Sequence, residues 1–286
     1  MLTLLLLAAA PTLHLEGSVG ESKPKPGWTY AKQGEGVTLH AILRGASAVE
    51  VHWFKIEPTS TALDNTTPSF HFEPVIYVET PMASCDGKLT CGADVTPTRL
   101  PKVEALPGLG TMAYRVEVKT KDGATLTTRG MTSTKYGGLT PDVYRVAIRR
   151  DDTLIGYATE LLNTPYIFGS AGPDGRNQSD LLIGSDCADL IVYARRRSGK
   201  KATYTSSYDL DRQAPPLKEG AAPRAGDLVH FPASRHVAIL FEDREPKGVV
   251  DENDLILHTC WAPPTVQRMG DIDCVSRPYR VLRFPE

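Results

Sequence analysis

Between about residue 15 and residue 140 the chain is written in short runs with partial period-two alternation, cut apart by Gly, Pro, Asn and Asp. Residues 37–43, 49–56, 75–78 and 114–118 are such runs, and Lys121-Asp122-Gly123 supplies a hairpin turn into 125–128. Alternating strands bury one face only by pairing and packing, so this half reads as all-β. Trp53, with Val49 and Val51 on its face, and Tyr114 are the candidate core aromatics. His40, His52 and His71 fall within or beside these runs and read as structural histidines.

After Gly137-Gly138-Leu139-Thr140-Pro141 the pattern changes. Leu154, Ile155, Ala158, Leu161 and Leu162 form a helical stripe over 152–162 that stops before Thr164-Pro165. A second helix starts at Cys187 and a short one is expected near 208–212. Strands follow at 226–231, 236–242, 255–260 and 279–284. Helices followed by antiparallel strands predict an α+β domain. The boundary falls between 138 and 150, and 144–148 reads either as a last strand of the first domain or as a linker. The expected organisation is a short leader over 1–14, a β-sandwich accessory domain over 15–140 and a second domain over 141–286.

With 286 residues, 41% hydrophobic and 23% charged, the chain has material for about two cores. A net charge of -2 and a pI near 6.4 argue against nonspecific nucleic-acid binding, which needs clustered cations. The apolar start, Met1 to Ala10, ends in an A-x-A pattern and is too short to span a bilayer. It resembles a secretory signal without the usual basic n-region, and export to a periplasm or the extracellular space is expected. No other segment approaches transmembrane length, so no integral membrane segment is expected.

Five cysteines bear on the compartment. Cys85 and Cys91 flank a polar turn, Cys260 and Cys274 bracket a Pro263-Pro264 loop, and each pair can close locally in an oxidising environment. That pairing leaves Cys187 single, although four cysteines allow three connectivities and a cytosolic chain would hold five reduced thiols. No C-x-x-C or H-E-x-x-H spacing points to a metal. Asn65-Thr66-Thr67 and Asn177-Gln178-Ser179 match glycosylation sequons.

Cys187 lies where a thiol becomes reactive. Asp186 is a good N-cap, Asp189 stands three residues on, and Leu190, Ile191, Tyr193 and Ala194 give an apolar face before Arg195-Arg196-Arg197-Ser198-Gly199. At the first helical position the unpaired amides and the dipole favour thiolate, from a free value near ~8.5, while Asp186 and Asp189 oppose it. A histidine partner is therefore needed. His236 opens the strand His236-Val237-Ala238-Ile239 and His258 lies in the next, Leu255-Ile256-Leu257-His258. Neighbouring strands can present both imidazoles on one side. If the Cys187 helix packs across that sheet, His236 takes the thiol proton and His258 fixes its tautomer.

Thr164-Pro165-Tyr166-Ile167-Phe168-Gly169, Asp186-Cys187-Ala188-Asp189-Leu190, Gly226-Asp227-Leu228-Val229, His236-Val237-Ala238-Ile239 and Leu257-His258, in this order, resemble the NlpC-type family of papain-like cell-wall cysteine peptidases across most of 150–262. The resemblance implies an α+β catalytic domain with helices packed on an antiparallel sheet. The all-β domain before it is similar in architecture to an immunoglobulin-like sandwich. The activity implied is hydrolysis of amide bonds in peptidoglycan stem peptides, commonly between D-glutamate and the following diamino acid, through a cysteine thioester. Peptidoglycan or a muropeptide is the expected partner, and no cofactor or metal is required. By position Cys187 is the nucleophile, His236 the general base and acid, and His258 the orienting residue. Tyr166 orients substrate or oxyanion, Asp186 can receive a stem-peptide amine, and the Cys187 N–H is the oxyanion donor.

The chain departs from the family in having Ala188-Asp189 where Ser-Gly usually follows the nucleophile, and in a polar insertion over 175–180 that could rim the cleft. The 242–254 loop must form an extended hairpin for the two histidines to meet. Acyl transfer to an amine or lipid, and wall binding without catalysis, remain as alternatives.

Overall fold

The structure is a computed structural model that describes residues 10–64, 75–132, 138–169 and 177–286. The apolar run 1–9, the Asn65 sequon, His71, Gly137 and the Gly175-Arg176 start of the polar insertion lie outside these residues.

The first half contains β1 (Thr12–Val19), β2 (Lys25–Pro26), β3 (Thr29–Lys32), β4 (Val37–Arg44), β5 (Ala48–Pro58), β6 (Ala62–Asp64), β7 (Tyr77–Pro81), β8 (Thr90–Gly92), β9 (Gly110–Thr120), β10 (Thr125–Thr127) and β11 (Tyr144–Arg149). One antiparallel sheet has the order β2-β1-β4-β8 and a second the order β3-β11-β9-β5-β7, with β10 paired to β9. Residues 144–148, which sequence leaves open as strand or linker, thus lie in β11, antiparallel to β9 and parallel to β3. Between the two sheets Trp53, Tyr114, Val116, Val118 and Leu39 share a core with Cys85 and Cys91. The buried aromatics keep their polar ends satisfied, as such side chains must. Trp53 Nε1 donates to Lys88 O at 2.8 Å and Tyr114 Oη to Asp94 O at 2.8 Å.

The second half contains α1 (Leu154–Ala158), β12 (Tyr166–Phe168), α2 (Cys187–Arg197), β13 (Leu228–Phe231), β14 (His236–Glu242), β15 (Leu255–His258), β16 (Thr265–Arg268) and β17 (Arg280–Leu282). Its antiparallel sheet has the order β16-β15-β14-β13-β17. Leu190, Ile191 and Ala194 of α2 share a core with Leu228, Val237, Ile239 and Leu257 of that sheet.

The α+β, papain-like expectation is overturned. Strand far outweighs helix among the described residues, with four-, six- and five-stranded sheets, a two-stranded ribbon and only two short α-helices, not a set of helices packed on a sheet. The 152–162 stripe shows why. Only Leu154–Ala158 is α-helical; the Thr159 hydroxyl donates to Gly156 O at 2.6 Å, 159–161 tightens into a 3-10 turn, and Leu162 is already out of helical geometry.

The halves meet through hydrogen-bonded backbone. β12 pairs in parallel with β6, Tyr166 N donating to Thr61 O at 2.9 Å, and on its other side Ile167 N donates to Ser185 O at 3.1 Å, just ahead of α2. Leu106, Leu109 and Ala147 lie in the same core as α1 and α2. The fully buried Glu160 accepts from Tyr193 Oη at 2.5 Å and from Arg197 Nε and Nη2 at 2.7 and 2.9 Å, while the Arg197 guanidinium covers the Tyr30 ring at 3.9 Å.

Candidate functional site

Cys187 is the first residue of α2, as the capping pattern predicts. Asp186 has extended backbone (φ -90°, ψ -178°), and its carboxylate accepts the Asp189 N–H at 2.8 Å. The N–H groups of Gly169 and Ala188 and the Tyr204 hydroxyl also donate to it. Burial raises the Asp186 carboxyl above the usual range, against those donors. Asp189 is fully buried, and Oδ1 accepts from Asn177 Nδ2 at 2.8 Å. Asp189, two residues after Cys187, therefore fastens the segment after the polar insertion to α2. That segment does not rim the cleft over its described part, because Asn177, Gln178 and Ser179 are buried and Asp180 pairs with Arg196 at 2.9 Å. Asn177, with its amide nitrogen committed and its side chain enclosed, has no room for a glycan.

Both expected disulfides are closed, Cys85–Cys91 and Cys260–Cys274, and Cys187 is the free cysteine. It lines a cavity of about 420 Å³ with Phe168, Asp186, Tyr204, Tyr208 and Arg235. Burial, and then the Asp186 charge, push the thiol up to about 12, and the Val237 N–H that donates to the sulfur only partly offsets them. The dipole of a three-turn helix does not overcome that burial.

The 242–254 connection lets β14 and β15 pair with Ile239 opposite Leu257, which sets His236 and His258 on a diagonal of one sheet face. His236 Nε2 and His258 Nδ1 are 3.1 Å apart, with the rings edge-on at 5.2 Å. Burial first, and then the neighbouring imidazoles His258 and His230, lower His236 to about 3. Burial lowers His258 to about 4 against an opposing contribution from Asp273. Both rings are neutral at pH 7, so one N–H lies between them.

The imidazoles share a face, but the helix lies against the other one. Val237 and Ile239 point into the core that holds α2, whereas His236 shares the opposite face with Ala238 and Leu240, which belong to a second core, and its ring centroid lies 6.1 Å from that of Phe231 there. Sγ of Cys187 meets the His236–Val237 step through the Val237 N–H, and among the described residues no hydrogen bond joins it to the His236 ring.

Tyr166 is buried, 6.5 Å from Phe168 and 5.0 Å from Trp261 between ring centroids. Phe168 and Trp261 are 5.6 Å apart and both stay open to solvent. Sequence does not single out Trp261, Tyr204, Tyr208 or Arg235 as site residues; the only hint is that Trp261 directly follows Cys260. Asp227 of the Gly-Asp-Leu-Val motif is structural. It is buried, and Arg283 Nε and Nη2 each donate to it at 2.6 Å.

No protein-family model matches the chain, and no curated protein does. Among solved structures, that of NlpC1 from Trichomonas vaginalis is similar with a TM-score of 0.31 and 12% identity over 99% of this chain and 98% of that one. A likeness this slight carries neither fold nor activity across. No helix among the described residues is long and apolar enough to cross a membrane.

Proposed function

We propose that the chain is a cysteine hydrolase that cleaves an amide bond through a thioester on Cys187. The observation that carries this reading is the placement of the free thiol: at the first turn of α2, in the wall of a cavity, one backbone step from the buried His236–His258 pair. With the thiol raised and the imidazole lowered, the resting pair is neutral. The sulfur gains its nucleophilicity during attack, as its proton passes to His236, rather than from a standing thiolate. Catalytic hydrogen bonds are often long in ligand-free sites, and this route needs the His236 ring to reach Sγ in the substrate complex.

As the S–C bond forms, the Cys187 N–H at the helix end receives the oxyanion. Collapse breaks the C–N bond and His236 returns the proton to the leaving amine. Water then attacks the thioester with His236 as base, releasing the acid and restoring the thiol. His258 positions His236 from the far nitrogen. Asp186 already accepts from Asp189, Ala188, Gly169 and Tyr204, which favours its capping role over receipt of a substrate amine.

The motif resemblance supports peptidoglycan stem peptides as the substrate class, with the D-glutamyl to diamino acid bond as the first to test. The two disulfides support an exported chain. Incubation with defined muropeptides, followed by mass analysis, tests both levels. Wild type is expected to release stem fragments and Cys187→Ala none; cleavage that survives the substitution overturns the mechanism.

A further inference from the structure

The face of the sheet that carries His236 also carries the second disulfide. One ring nitrogen of His236 and the Sγ atoms of Cys260 and Cys274 all lie within 4.8 Å of one another, with the histidine buried and both cysteines partly exposed. The three come from separate places in the chain: His236 opens β14, Cys260 follows the end of β15 by two residues, and Cys274 lies between β16 and β17.

A tetrahedral zinc ion bound through sulfur at about 2.3 Å and nitrogen at about 2.0 Å separates its ligand atoms by roughly 3.5 to 3.8 Å. A spread of up to 4.8 Å leaves the cluster within about 1 Å of that closure, with the two sulfurs bonded to each other. We propose that the Cys260–Cys274 disulfide masks a Cys2His cation site: when a dithiol or phosphine reductant opens it, the two thiols and His236 bind a borderline-soft divalent ion such as zinc.

The reductant supplies two electrons and is oxidised as the S–S bond breaks to two thiols. The metal then displaces two protons, leaving two thiolates, a neutral imidazole and one position for water. Partial exposure of both cysteines gives the reductant access to the bond. A metal on His236 holds the imidazole that the proposed hydrolase uses as its base, so the oxidised protein is the active form and the reduced, zinc-loaded protein the silent one.

Metal uptake is read independently of hydrolysis in full-length Cys187→Ala protein, whose remaining cysteines are those of the two disulfides. After phosphine reduction and removal of the reagent, dialysis against zinc is expected to leave about one tightly held ion per chain, against none before reduction. Cobalt should give intense near-ultraviolet sulfur-to-metal absorption. Cys260→Ser/Cys274→Ser in the same background retains Cys85 and Cys91 and is expected to lose the uptake. His236→Gln, which leaves both disulfides intact, should weaken it at least tenfold. Reduced protein that takes up no metal, or uptake unchanged in either variant, overturns the site, whatever the muropeptide assay shows.

Discussion

Cys187 is held as a thiol by two effects of different size. Burial is the larger and the Asp186 charge the second, and together they place the sulfur far above a free cysteine, near ~8.5. Because the raised pKa disfavours thiolate at every pH below it, the ligand-free protein is expected to react with iodoacetamide more slowly than free cysteine at pH 7 to 9. Its rate should still be climbing at pH 10. Asp186→Asn removes the charge and keeps a side chain that caps helices as well as aspartate does, so α2 persists while the thiol pKa falls. The expected result is faster alkylation at pH 8 together with a loss of about 1–3 kcal/mol in stability, because the amide nitrogen cannot accept from the donors that the buried carboxylate now holds; an unchanged rate would show that burial alone sets the thiol. The helix start at Cys187 is legible in the sequence because a cap is a local pattern of Asp186 and Asp189. The side-chain duty of Asp189 is not legible, since its partner Asn177 is brought to it only by tertiary packing.

The β14–β15 hairpin carries two neutral buried histidines, and that has a cost in acid. Their folded pKa values, about 3 and about 4, lie below the ordinary value near 6.5, so the unfolded chain binds more protons between those limits. Stability contributed by the pair is therefore complete above about pH 6.5 and is lost as pH falls toward 4. The loss reaches about 2 kcal/mol for each histidine at pH 5. Urea titrations at pH 8 and pH 5 check this, and His236→Gln/His258→Gln protein is expected to show a shallower decline across the same window. An equal decline in both would place the acid sensitivity elsewhere. β14 is legible end to end, since 236–242 alternates cleanly between two cores. The side of the sheet taken by α2 is not, because period-two alternation says which residues share a face and never which face a helix will cover. The 152–162 stripe fails as a helix for a related reason: periodicity records burial, and residues of a 3-10 turn can be buried on the same schedule.

At the scale of the whole molecule, the switch of sequence pattern near residue 140 and the physical continuity of the chain disagree about independence. Leu106, Leu109 and Ala147, which are contributed by the strand-rich half or its last strand, lie in one core with Leu161, Leu190 and Ile191. Glu160 is fully buried and is satisfied by Tyr193 and Arg197, whose guanidinium in turn rests on Tyr30. β12, which leads the site aromatics into the cavity, is paired on one edge by β6. A fragment of residues 141–286 would expose part of that core, leave the β12 edge open and strip Arg197 of the Tyr30 ring, keeping only the more distant Tyr157 ring at 5.7 Å, while Glu160 stayed buried beside it. The full chain is therefore expected to unfold in urea as one unit, with amides of β9 and β14 losing hydrogen-exchange protection at the same denaturant concentration. The fragment is expected to show no cooperative transition of its own. A fragment that melts cooperatively at the full-length midpoint would make the pattern switch a true domain boundary, and the interlocking contacts would then be a docking interface between units that fold separately.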